Sequence, residues 1–281
     1  MTALITLTTD FGTRDSYVAE LKGVLYSEGP PDLRVVDLSH ELAPFDVHAA
    51  ALFVRAALPR FPPGSVHVAV VDPGVGSARR ALVVQLPMMT LVGPDNGLFS
   101  YLYDGREVVY AIDAARLGTR TVSRTFHGRD LFAPVAAQLA SGVSAASFGK
   151  PLDTYVRVGG PLVEITRDAL HGRILHVDHY GNLITNLTHA MLRDFVGADE
   201  AQLDGGDGRS DARAELGTGL CVRVGSHVIE KLVDHYAQAE PGELLALIGS
   251  SGLLEVAARE QSAAQKLGLE QGDTVSVERH G

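Results

Sequence analysis

Between Leu4 and Leu139, short aliphatic runs alternate with segments whose apolar residues recur at helical spacing. That alternation limits the fold more than any other feature of the chain. Leu4 to Thr8 and Leu33 to Leu38 read as strands. Between them Val18, Leu21, Val24 and Leu25 share a helical face, with Asp15 or Ser16 available as N-cap and Gly29-Pro30-Pro31 as the stop. A second helix, capped by Asp46 and carrying Ala50, Phe53, Val54 and Ala57, ends before Pro59. Val66 to Val71 and Ala81 to Leu86 are further strands, and Asp130 to about Leu139 is a third helix. Strands and helices in this order predict an α/β/α sandwich with a mainly parallel sheet.

The pattern changes after Gly159-Gly160-Pro161. Short β-like runs follow at Arg173 to Val177, Leu220 to Val224, His227 to Leu232, Leu244 to Ile248 and Thr274 to Glu278, with few helical windows. An all-β, barrel-like second domain is the economical expectation, giving domains at 1–160 and 161–281. Gly205-Gly206-Asp207-Gly208 reads as a loop and Gln261 to Leu267 as one short helix.

At 281 residues and 46% hydrophobic content the chain has ample core for this plan. The net charge of −10 argues against a surface that tracks nucleic-acid phosphates and suits a cationic small molecule better. Cys221 is the single cysteine, so no internal disulfide forms, and its neighbours Leu220 and Val222 mark a buried strand residue. Met1 to Leu7 lacks the basic flank of a signal peptide, and no run reaches the roughly 20 apolar residues of a membrane span. A cytoplasmic location is expected.

Three segments break the core pattern. Val70-Val71-Asp72-Pro73-Gly74-Val75-Gly76 ends a buried run in a carboxylate and glycines, and Arg79 or Arg80 can return toward Asp72. Open α/β sheets build ligand crevices at such strand ends, although Asp-Pro-Gly is also a common turn. Thr8-Thr9-Asp10-Phe11-Gly12 terminates the first strand, and Phe126-His127-Gly128-Arg129-Asp130 enters a helix whose terminus is electropositive. Together they suggest one crevice. Asn96, in Gly93-Pro94-Asp95-Asn96-Gly97, is a further binding candidate.

These motifs, together with Asp178-His179-Tyr180-Gly181-Asn182 and Ser250-Ser251-Gly252-Leu253-Leu254-Glu255, resemble those of the S-adenosylmethionine hydroxide adenosyltransferases, relatives of the fluorinase and chlorinase. Six in order make the resemblance specific, and it runs through both halves of the chain. It implies an α/β amino-terminal domain, a β-barrel carboxyl-terminal domain, and hydrolysis of S-adenosyl-L-methionine to adenosine and L-methionine. Asp72, Arg79 and His127 match the residues that hold the attacking water or hydroxide. Asp10 would accept hydrogen bonds from both ribose hydroxyls. Asp178 would contact the methionine amino group, Tyr180 would pack near the adenine, and Asn182 would hydrogen-bond the base. Ser250 would contact methionine, with Ser251 and Glu255 beside it. The resemblance also implies no cofactor and a homotrimer whose sites lie between subunits. Ala257-Ala258-Arg259-Glu260 departs from the family pattern.

The chemistry agrees with these residue types. A sulfonium leaves as a neutral thioether, so no proton need reach it, and placing the nucleophile in line dominates. Histidine exchanges protons near neutrality, while arginine stays cationic beside an anionic oxygen. A halide-using enzyme is the near rival. The halogenating relatives carry tyrosines where Asp72 and His127 stand, and the short Leu86–Leu91 segment leaves no room for the fluorinase loop. Gly128 resembles the chlorinase as well. A non-catalytic sensor would need Asp10, Asn96 and Asn182 but not the water-holding set. A metal site at His176, Asp178 and His179 is disfavoured, because on a strand only His176 and Asp178 share a face.

Overall fold

In the computed structural model of the chain, which describes residues 3–118, 121–159, 163–197, 219–230 and 232–279, two units form, Met1–Val158 and Gly159–Gly281. The first unit contains strands Leu4–Thr9 (β1), Arg34–Ser39 (β2), Ser65–Val70 (β3), Ala81–Gln85 (β4), Met89–Pro94 (β5) and Val108–Ala111 (β6). Its helices are Tyr17–Glu28 (α1), Val47–Ala57 (α2) and Ala133–Ala140 (α3), the last entered through a π-helical turn at Gly128–Phe132. The sheet order is β2-β1-β3-β5-β4-β6. β2, β1, β3 and β5 pair in parallel, while β4 runs antiparallel to β5 and β6.

β3 is buried at every position, as a strand covered on both faces must be. Val66, Val68 and Val70 join Leu21, Leu25, Phe132 and Val135 on the side of α1 and α3. Ala69 and Val71 join Ala50, Val54 and Leu58 on the side of α2. The mainly parallel sandwich is therefore present, with one reversed strand. Asp46 caps α2 by accepting the Ala49 N–H. Ser16 stands at the N-cap of α1 but turns its hydroxyl to Glu20, 2.7 Å away. β5 was not expected, because the turn residues Gly93 and Pro94 close the strand itself and mask its brief apolar run, and the four-residue β6 was not expected either.

The second unit contains Glu164–Ile165 (β7), Ala169–Val177 (β8), Leu183–Thr188 (β9), Leu220–Val224 (β10), His227–Ile229 (β11), Leu244–Ile248 (β12), Leu253–Ala258 (β13) and Thr274–Arg279 (β14). Helices His189–Val196 (α4) and Ala263–Leu267 (α5) accompany them. The order is β11-β10-β14-β8-β9-β13-β12, all pairs antiparallel, with β7 on β8. A Leu232–Ala246 bridge ties the chain beyond β11 to β12, so the sheet nearly closes into a barrel. Leu170, Ile174, Leu187, Val222, Val256 and Val277 fill its interior. α4 is an addition to the expected plan, capped by Thr188 and stopped by left-handed Gly197. The Gly205–Gly208 loop lies outside the described residues.

One buried histidine in the first unit has a measurable consequence. His67 on β3 is 1% exposed, and its Nδ1 lies 2.7 Å from Thr6 Oγ1. Burial pushes its imidazole down to about 4 from the usual 6.5. Between those values the unfolded chain binds the proton and the folded chain does not, so stability falls as pH falls through the window. The loss is up to about 3 kcal/mol. Denaturant unfolding at a series of pH values from 7 to 4.5 is expected to show it. His67→Gln is expected to flatten the slope, and an unchanged slope would remove His67 as its cause.

Candidate active site

The parallel strands β1, β2, β3 and β5 all point their carboxyl ends to one edge of the sheet, where ligand crevices form in open α/β sheets. Asp10 follows β1, His40 follows β2, Asp72 lies two residues beyond β3, and Asn96 lies two residues beyond β5. The loop from Asp72 to Arg80 leaves that edge and turns back on itself. Val75 N–H bonds the Asp72 carbonyl at 3.2 Å, and the Ser77 hydroxyl bonds the Gly74 carbonyl at 2.6 Å. Gly76 has φ +78°, and a Cβ there would lie 2.4 Å from the Arg124 carbonyl oxygen. Only glycine fits.

This loop returns Arg79, not Arg80, to Asp72. Arg79 Nε donates to Asp72 Oδ1 at 2.8 Å and Nη2 contacts Oδ2, a bidentate pair with side chains only 10% and 4% exposed. Arg80 turns instead to Asp95, donating at 2.7 Å. Arg79 Nη2 also lies 2.8 Å from His127 Nδ1. Arginine can only donate, so Nδ1 is the acceptor and the neutral imidazole carries its proton on Nε2. Burial first, and the Arg79 charge second, push His127 below its usual range, against the opposing charges of Asp72 and Asp130. Asp72, Arg79 and His127 thus form one connected group, with Phe132 beneath the guanidinium at 5.5 Å.

The rest of the Phe-His-Gly-Arg-Asp motif fastens this group in place. Arg129 bridges Asp130 and Glu20 of α1, at 2.6 and 2.7 Å, and lies 5.1 Å from the Phe126 ring centre. Phe126 meets Phe11 and Tyr17 edge-on, with centroids 5.8 and 5.2 Å away. Asp10 Oδ2 accepts the Phe45 N–H at 2.9 Å. Phe45 adopts φ +67° and is 71% exposed. A non-glycine residue in that region is strained by about 1–3 kcal/mol, so the bond to Asp10 is made at a conformational cost. Asn96 donates its Nδ2 to the Val71 carbonyl at 2.8 Å and accepts the Leu98 N–H, so its amide ties the β5 exit to the residue before Asp72.

The second unit gathers a separate set. Asp178 Oδ1 accepts the Tyr180 and Asn182 N–H groups at 2.9 and 2.8 Å, and Oδ2 accepts Asn182 Nδ2 at 3.0 Å. Tyr180, in the same turn, is 76% exposed and Asn182 is 6% exposed. Glu255 on β13 is buried, and Oε1 accepts the Tyr236 hydroxyl at 2.5 Å. Burial pushes the Glu255 carboxyl upward against the lowering effect of that bond, and the Asp178 charge adds to the rise. Ser250 and Ser251 are exposed in the turn that Gly252 N–H closes on the Gly249 carbonyl. Tyr236 was missed by sequence reasoning, although an aromatic inside the polar stretch Asp234-His235-Tyr236 was its signal. Among the described residues His176, Asp178 and His179 do not assemble into a metal-binding group.

The description "SAM hydroxide adenosyltransferase N-terminal domain" matches residues 5–149, and the corresponding C-terminal domain matches residues 172–276. The chain belongs to the SAM hydroxide adenosyltransferase family. It is 39% identical to an (R)-S-adenosyl-L-methionine hydrolase of Thermus thermophilus, over 95% of this chain and 96% of that protein. A protein of the same description from Salinispora arenicola is 38% identical over 98% of both chains. A crystal structure of an uncharacterized conserved protein from Thermotoga maritima aligns with TM-score 0.82 and 31% identity, covering 98% of this chain and 100% of that one. In this family member the strand-end carboxylate, its arginine and the helix-entry histidine are a single bonded group.

Two outcomes are expected from that geometry. An NMR titration of the imidazole resonances places His127 below 6.5, and Arg79→Met moves it upward because a nearby positive charge is removed. No upward movement would contradict the bond between them. Gly76→Ala lowers stability by about 1–3 kcal/mol and reduces turnover, because the loop must open away from Arg124. Denaturant unfolding and an activity assay of the same preparation measure both.

Proposed function

We propose that this chain hydrolyses S-adenosyl-L-methionine to adenosine and L-methionine by in-line attack of hydroxide on the ribose 5′-carbon, without a cofactor. The full-length similarity to proteins named (R)-S-adenosyl-L-methionine hydrolase supports the (R) configuration at sulfur for the substrate. The observation that carries the mechanism is the bonded Asp72–Arg79–His127 group. Water on binding gives one proton to solvent. The oxygen then forms the bond to the 5′-carbon as the carbon–sulfur bond breaks, and the bonding pair leaves with sulfur as a neutral thioether.

Each residue has a part that its contacts allow. Asp72 fixes the guanidinium, Arg79 supplies positive charge beside the oxygen, and His127 offers its Nε2–H as a donor. Asp10 holds the ribose hydroxyls with the lone pairs that Phe45 leaves free. Asn96 supports the nucleoside side of the crevice through the β3 exit. Asp178 takes the methionine ammonium, Tyr180 and Asn182 take the adenine, and Ser250, Ser251 and Glu255 take the methionine end. Because these residues fall in two units, the assembly proposed is a homotrimer in which each site combines residues of two subunits. Halide use is disfavoured by Asp72 and His127, which stand where the halogenating relatives carry tyrosines.

Purified protein treated with chelator is expected to release adenosine from S-adenosyl-L-methionine, with heavy oxygen from labelled water in the 5′-hydroxyl. His127→Ala and Arg79→Ala are expected to lower kcat by about 10²–10⁴-fold with little change in substrate affinity. Label absent from adenosine would overturn the mechanism even if substrate is consumed. Failure to release adenosine at all would leave a binding protein in place of an enzyme.

A further inference from the structure

Behind Asp10 lies a polar chain with no part in holding the nucleophile. His40, at the carboxyl end of β2, is 5% exposed, and its Nδ1 lies 2.8 Å from Thr9 Oγ1. Thr9 is fully buried, so its hydroxyl is unavailable to any ligand. Its oxygen instead accepts the Phe11 N–H at 3.3 Å. The His40 carbonyl accepts the Gly12 N–H at 2.7 Å, and Gly12 has φ +68°. His40 Nε2 lies 3.0 Å from Asp37 Oδ1 without the alignment of a hydrogen bond. Lys22 Nζ holds the other Asp37 oxygen at 2.5 Å. Asp10 therefore sits in a turn, residues 9 to 12, that His40 grips by side chain on one flank and by backbone on the other.

We infer that His40 is a positioning residue of the nucleoside site, aiming the Asp10 carboxylate through its bond to Thr9. This role rests on the one proposed for Asp10 at the ribose. The two anchors of Asp10 converge from the same segment. Phe45 holds Oδ2 from the front and His40 holds the turn from behind, five residues earlier in the chain. Were packing alone at stake, an apolar residue would fill the space beside Thr9 without a bond that must be satisfied in a dry environment. With the neutral imidazole's proton on Nε2, Nδ1 accepts the Thr9 hydroxyl, and the Thr9 oxygen stays free to accept the Phe11 N–H. The turn is ordered before ligand arrives, which lowers the entropy cost of capturing two hydroxyls.

Two substitutions separate the two imidazole nitrogens. His40→Asn puts an amide near the place of Nδ1 and keeps the Thr9 bond. His40→Gln reaches the place of Nε2 and keeps only the Asp37 contact. Calorimetry with adenosine on the full chain is expected to give near wild-type affinity for His40→Asn and about fivefold weaker binding for His40→Gln. In turnover assays KM rises for His40→Gln while kcat holds. Thr9→Val keeps volume and deletes the hydroxyl, so it gives the same loss and stands in if a His40 variant fails to fold. Equal affinity of the Gln and Asn variants, or an unaffected Thr9→Val, overturns the role. Asp10→Ala is measured beside them. If it binds adenosine normally, the ribose assignment falls and the role of His40 with it; if it binds weakly while Thr9→Val does not, only the role of His40 falls.

Discussion

A guanidinium and a carboxylate withdrawn from water together are the interaction on which the first unit's site depends. Arg79 and Asp72 are 10% and 4% exposed, and their double contact offsets a desolvation penalty that neither could bear alone. Removing either partner leaves a buried charge uncompensated, which costs about 3–5 kcal/mol in comparable pairs. The pair also dictates backbone. Its members stand seven positions apart, and the loop between them must reverse tightly enough to press Gly76 against the Arg124 carbonyl. That contact carries the loop to the segment that enters the π-helical turn, so the position of His127 is tied to the same ion pair.

Parallel strands explain why the other candidate residues lie where they do. β1, β2, β3 and β5 end at one edge, and each contributes one polar residue within two positions of its end. β4 reverses direction and lets the Asp72–Arg80 loop close on itself in place of crossing the sheet through a helix. In the second unit the strands are antiparallel and joined by turns, and its polar candidates sit in those turns, apart from Glu255 on β13. Asp178 there organises its own turn through three bonds, and Asn182 is one of its partners. A residue that shapes a turn and one that meets a ligand are compatible when lone pairs remain, as they do on a carboxylate with four acceptor positions.

Much of this was legible in the sequence, and the exceptions have physical causes. A strand buried on both faces reads as an unbroken apolar run, so β3 and the carboxylate after it stand out. The return of Arg79 was open between two adjacent arginines, since only the loop's closed form decides which side chain points inward. β5, β6, β7, β9, β13 and α4 were not read, because turn residues border or interrupt each of them and dominate a local pattern. Asn96 was marked by its turn-rich surroundings, but its bond to the Val71 carbonyl depends on β3 and β5 being neighbours, which no local pattern encodes. His40 and Tyr236 carry no motif of their own. Each matters through a partner 31 or 19 residues away, and such pairs appear only when the sheet has formed.

The protonation pattern of the Asp72–Arg79–His127 group bears on how water becomes a nucleophile. A general base must present a free lone pair, yet the Nδ1 pair of His127 is taken by Arg79, and each Asp72 oxygen already accepts from the same guanidinium. The remaining polar group of the imidazole is a donor, the Nε2–H of a ring whose Nδ1 accepts from a cation. On the proposed reaction, donors of this kind favour hydroxide over neutral water and lower the pH at which bound water ionises, with solvent as the proton sink. Burial lowers the imidazole pKa of His127 most, and the Arg79 charge 2.8 Å away, which protonation would set against a second cation, lowers it further. On that role, a neutral imidazole meets the nucleophile as a donor that does not quench it by giving up its proton.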